Sequence, residues 1–118
     1  MDASPEYKGY ASDVTRTYTK SRIWTKEMRL VYRIVQETQS AAIEAFASGS
    51  RWAHVDRAAL EKLTERLIEH GFLFGNKTEM IQERAAYAFM LRGLGHPVGL
   101  DVHNPLPTRY ARDRNRAS

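Results

Sequence analysis

Two consecutive runs of helical periodicity, between residues 25 and 71, dictate what the rest of this 118-residue chain can be. Thr25 has the chemistry of an N-cap. A long helix is expected over residues 26–47, with Val31, Ile34, Val35, Ala41, Ala42, Ala45 and Phe46 at helical spacing. Gly49 lies where a C-terminal cap belongs. A second helix is expected over 53–70, with Leu60, Leu63, Leu67 and Ile68 as its apolar face and Gly71 as its stop. Strand-forming sequence is therefore pushed to the two ends.

At the N-terminal end, residues 6–19 alternate and are rich in Tyr, Thr and Val, with Lys8-Gly9 where a hairpin turn fits. Beyond the second helix, a short third helix is expected over 76–86 and a strand over 88–91. A further strand is expected near 99–103, after a turn shaped by glycines and Pro97. Trp24 and Trp52 flank the helix starts and read as core or staple residues. From Asn104 onward, two prolines and four arginines read as an irregular basic tail, so the chain divides into 1–104 and 105–118. The reading is α+β, with strand pairs covered by two long helices.

Composition narrows the function classes. No run of about 18 apolar residues is present, so a membrane-spanning helix is not expected. The first ten residues are polar, unlike a secretion signal. With no cysteine there is no disulfide, thiolate ligand or cysteine nucleophile, which agrees with a cytoplasmic setting. Of the net charge of +4, Arg109, Arg112, Arg114 and Arg116 against Asp113 supply +3, so the excess is a property of the tail and nucleic acid is not an expected partner.

The residues able to do chemistry gather in the two strand regions. A turn near Tyr7-Lys8 would set Asp2 opposite Asp13 on one face of the hairpin. Opposed carboxylates repel unless a cation lies between them, and their oxygens suit manganese, magnesium, zinc or cobalt. His96 and His103 share a glycine-rich stretch, RGLGHPVGLDVHN, where an imidazole can serve as metal ligand or proton carrier. His54 and His70 fall in the second helix and read as structural.

Together these stretches point to one family. DASPEYKGYASDVTRTYT resembles the first metal-ligand hairpin of the pita-bread metallopeptidases, the group of prolidase, aminopeptidase P, creatinase and methionine aminopeptidase. GLGHPVGLDVHN resembles their second motif, nearest the Xaa-Pro-cleaving branch. The resemblance covers residues 2–104 and implies a partial pita-bread domain. It implies that Asp2 is a ligand of one metal ion, that Asp13 bridges two, and that His96 is the imidazole ligand. His103 would contact the substrate and the tetrahedral intermediate. Manganese is the expected ion, with cobalt or zinc as alternatives, and Xaa-Pro peptides are the expected substrates.

Three departures from the family pattern carry expectations of their own. Arg92 stands where the family has a substrate-contacting histidine; it is always charged and cannot exchange a proton near neutral pH. Two glutamate ligands are expected after the histidine motif, yet the last glutamate is Glu83. The pattern stops at Asn104, as a truncation, a shifted frame or a partial sequence would make it. The chain alone is therefore expected to be inactive, and a non-catalytic peptide- or partner-binding module is the alternative. An exposed sheet edge would favour a homodimer.

Overall fold

The computed structural model describes residues 1–90 and 93–103. The described residues form two compact units, one of residues 1–24 with 93–103 and the other of residues 25–90.

The second unit is helical. Helix α1 spans Lys26–Ala45, and Thr25 caps it by accepting a hydrogen bond from the Met28 amide at 3.2 Å. It ends two residues before the expected 47, because Ser50 closes the turn instead. The Ser50 hydroxyl donates to the Ala45 carbonyl and accepts from the Ala47 amide. Helix α2 spans Trp52–Glu69. At its end Gly71 takes φ +73°, Phe72 N–H donates to the Leu67 carbonyl and Gly71 N–H to that of Ile68, which is a Schellman closure. Only glycine takes that backbone conformation without strain, so Gly71 sets where α2 stops.

Helix α3, Lys77–Gln82, starts at Asn76, whose Oδ1 accepts from the Thr78 and Glu79 amides. It is shorter than the 76–86 expected. Ala85–Phe89 forms a 3₁₀ turn, which replaces the expected strand at 88–91. The cause is non-local. Arg84 adopts φ +54°, and its guanidinium reaches Asp56 on α2 at 2.8 Å and the Tyr87 hydroxyl at 3.0 Å. Tyr87 in turn donates to Asp56 at 2.6 Å. This tripod folds the chain back and seats Ala86, at 0% exposure, among Ile34, Leu60, Leu63 and Leu67. Burial, followed by the bond to Asp56, pushes the Tyr87 hydroxyl up to about 12.

That core uses one side of α1: Ile34, Thr38 and Ala42 are buried, with Leu30 packed against the cluster. Thr38 and Thr64 satisfy their hydroxyls on the carbonyls four residues back, so burial leaves neither unpaired. Val31, Val35 and Phe46, expected on the same face, are exposed; Val35 is 59% accessible. The apolar pattern of α1 is wider than the one stripe that α2 covers. Trp52 is also exposed rather than a core residue.

The first unit is built on one hairpin. Strands β1 (Asp2–Ala3), β2 (Glu6–Tyr7), β3 (Tyr10–Ala11) and β4 (Val14–Thr15) pair β1 with β4 and β2 with β3 in a single continuous register. The turn is Lys8-Gly9, with φ +52° and +85°, the signs of a type I′ turn whose twist suits a hairpin. Pro5 has no N–H to donate. Its carbonyl alone accepts the Ser12 amide and hydroxyl, and the ladder is interrupted there. The expected strand at 99–103 does not form. That stretch is a series of bends, joined to the hairpin by a bond from the Ala11 amide to the Gly99 carbonyl at 3.0 Å.

Candidate metal centre

Asp13 follows Ser12 in the interrupted part of the hairpin, and His96 lies in the bent stretch 93–103 of the same unit. The bond from Ala11 to Gly99 lays that stretch along the β3–β4 side of the hairpin, the side whose amide at Ala11 is not used by the partner strand. His96 Nε2 is then 3.0 Å from Asp13 Oδ2, with both side chains partly covered, 31% and 23% accessible.

The other imidazole nitrogen is also engaged. His96 Nδ1 is 3.1 Å from the carbonyl of Pro97. A carbonyl only accepts, so in the tautomer with its proton on Nδ1 the ring donates to Pro97 and turns the Nε2 lone pair toward Asp13. In that tautomer a cation placed between Nε2 and Asp13 Oδ2 would be shared by the two acceptors. Fixing one ring nitrogen on a backbone carbonyl is how ligating histidines are oriented for a metal.

The spacing fits an ion as well. Two donors bound at about 2.1 Å to one cation and at right angles to each other stand about 3.0 Å apart. His103 lies beside the pair, its ring centroid 4.0 Å from that of His96 with the planes tilted by 35°. Leu100, Asp101 and Val102 separate His103 from the Gly99 anchor.

Asp2 is placed differently from the sequence expectation. With the turn at Lys8-Gly9 rather than Tyr7-Lys8, Asp2 pairs with Thr15, and Asp13 comes level with Ser4. The shift is two residues, so alternation keeps Asp2 and Asp13 on one face, but diagonally related. Among the described residues no group of three or more His, Asp or Glu side chains comes together in a way that could hold a metal. The structure therefore joins Asp13 to His96 and leaves Asp2 apart. Arg92 lies outside the described residues, as does the tail from Asn104. His54 and His70 are exposed on the helical unit and take no part.

Sequence reading missed the role of the Pro97 carbonyl, since a backbone acceptor leaves no residue-type signal. Among the described residues no helix is long and apolar enough to cross a membrane.

Comparison with known proteins gives a consistent picture. Residues 1–117 match metallopeptidase family M24. A probable Xaa-Pro aminopeptidase of Fusarium vanettenii is 39% identical over 104 residues, 88% of this chain and 22% of that protein. One from Botryotinia fuckeliana is 40% identical over the same length, 23% of its own. Among solved structures, zinc-substituted Escherichia coli aminopeptidase P in complex with product matches with a TM-score of 0.87 and 34% identity, covering 96% of this chain and 25% of that one. The aminopeptidase PepP of Pseudomonas aeruginosa matches with a TM-score of 0.84 at the same identity, covering 90% and 24%. The chain thus spans about a quarter of the length of these relatives.

Proposed function

This chain belongs to metallopeptidase family M24, with the fold of the pita-bread enzymes, and from that premise we propose that it supplies the hairpin and histidine portion of an Xaa-Pro aminopeptidase-type metal centre. The observation that carries this reading is the position of His96, with Nδ1 on the Pro97 carbonyl and Nε2 3.0 Å from Asp13. Asp13 and His96 would hold a divalent ion, with manganese the expected one, while Asp2 lies on the same hairpin face but apart from the pair. When bound, such an ion supplies Lewis-acid activation of water and of a peptide carbonyl. The chain's own residues do the rest. The Pro97 carbonyl would orient the His96 ring, Asp13 would offset the cation's charge, and His103 would offer a hydrogen bond to a peptide lying beside His96.

The same reading assigns little activity to the chain alone. A dinuclear centre needs more carboxylates than Asp2 and Asp13 provide, and no glutamate follows Glu83. Manganese titration of the purified chain, followed by calorimetry and by cleavage of an Xaa-Pro dipeptide, tests it. Weak binding of one ion, lost in both Asp13→Asn and His96→Ala, with no turnover, is expected. Two ions per chain, or manganese-dependent cleavage, would overturn the assignment. The edge presented by Asp2, Ser4 and Glu6 is the surface on which a second copy would pair. Sedimentation equilibrium across a range of concentrations reads that association directly.

A further inference from the structure

Between β4 and the Thr25 cap, the stretch YTKSRIW turns back on itself and frames an open surface hollow of about 390 Å³ lined by Tyr18, Thr19, Lys20, Arg22 and Trp24. All five residues belong to the first unit. The loop is held by its own bonds. Arg22 N–H donates to the Thr19 carbonyl, and Ser21 Oγ both donates to the Ile23 carbonyl and accepts from the Ile23 amide. To make this turn Arg22 adopts φ +59°, a left-handed conformation that costs a non-glycine residue about 1 kcal/mol or more.

The chemistry of the walls is one-sided. On the helical unit Arg57, Lys62, Arg66, Lys77 and Arg84 each meet a carboxylate, whereas Lys20 and Arg22 meet none among the described residues. No acidic residue lines the hollow. The Thr19 hydroxyl oxygen is buried in its wall with no hydrogen-bond partner among the described residues, although a buried hydroxyl normally has one. Tyr18 and Trp24 add two aromatic surfaces.

We propose that this loop is a binding site for a small oxyanion carried on a planar ring, held by Lys20 and Arg22 with the ring against Tyr18 and Trp24. A guanidinium fork matches the two oxygens of a carboxylate or of a phosphate, an ammonium adds a point charge, and an indole or phenol face stacks on a flat group. Thr19 supplies one further polar contact as the loop adjusts around the ligand. The site is separate from Asp13 and His96 and does not depend on the metallopeptidase reading.

The test uses the full chain carrying Trp52→Phe, so that Trp24 is the sole indole reporter. Phenyl phosphate, benzoate, inorganic phosphate and benzyl alcohol are titrated while Trp24 fluorescence is followed. Saturable quenching by phenyl phosphate or benzoate is expected, with the tighter of the two identifying the preferred oxyanion. Inorganic phosphate should bind roughly tenfold or more weakly, and benzyl alcohol should not saturate. Arg22→Gly removes the guanidinium while relieving the backbone, so its circular dichroism should be unchanged and its affinity roughly tenfold or more lower. Absence of saturation by both aryl anions up to about 10 mM overturns the proposal. Equal binding of inorganic phosphate, or unaltered binding by Arg22→Gly, does so as well.

Discussion

The two units of this chain are held together by different kinds of interaction. Residues 25–90 bury an apolar cluster of Ile34, Leu60, Leu63, Leu67 and Ala86, cap α1 and α3 with side chains, and lock the 3₁₀ turn with the Asp56–Arg84–Tyr87 tripod. The unit containing the candidate metal centre has strands of two residues each, a type I′ turn, and polar contacts from the hairpin to the histidine stretch at Ala11–Gly99 and Asp13–His96. Apolar burial is worth far more per residue than backbone bonds that water also offers. The scaffold is therefore stabilised by its own contents, while the metal-binding side chains sit on a framework that a cation between Asp13 and His96 would help to hold.

Four substitutions would sharpen or break this contrast. The largest effect is expected from Leu63→Ala, which opens a cavity in the helical core and should cost about 2–5 kcal/mol in urea unfolding followed at 222 nm. A loss below about 1 kcal/mol would mean the cluster is not what stabilises this unit. Asp56→Ala comes next, at about 1–3 kcal/mol, because it leaves a guanidinium and a half-buried phenol without their shared acceptor. The Tyr87 titration, followed by phenolate absorbance, should also move down from about 12.

Gly9→Ala tests the other unit. At φ +85° the added Cβ meets no atom but strains the backbone, so about 1 kcal/mol should be lost from the hairpin alone. The readout is weaker cross-strand nuclear Overhauser contacts between Ala3 and Val14, with the helical signal at 222 nm retained. If both signals fall together, the two units are not stabilised separately.

The smallest effect belongs to Glu65. Hydrogen bonds from Lys77 and then Lys62 hold its carboxyl down at about 2. A depressed carboxylate stabilises the fold above its unfolded value near 4.5, and that contribution is lost as pH falls from there to about 2. Because Glu65 remains 37% accessible, screening keeps the contribution below about 1 kcal/mol. Glu65→Gln should flatten the acid limb of stability between pH 4.5 and 2 and change little at pH 7.

How legible each region was from its residues follows the range of the interactions involved. The Thr25 cap, the Gly71 stop and the Lys8-Gly9 turn are set by contacts within a few residues, and the two long helices came within two residues of their expected ends. Residues 85–89 were misread because the acceptor that pins Arg84 is 28 residues away, and nothing local to AAYAF signals it. The register of Asp2 was misread for a narrower reason. Two adjacent dipeptides could host the turn, and only Lys8-Gly9 puts a glycine at its second position.

The sequence by itself determined the family, the two long helices with their caps, and the residue types on which a metal centre would draw, since those depend on local backbone preference and on motif spacing. Tertiary structure decided which face of α1 is buried, that residues 88 and 89 coil instead of extending, and that Asp13 rather than Asp2 meets His96. Each of those outcomes rests on partners far apart in the chain. Their positions are fixed only when a core closes or a hairpin register is chosen, and no pattern along the sequence encodes that directly.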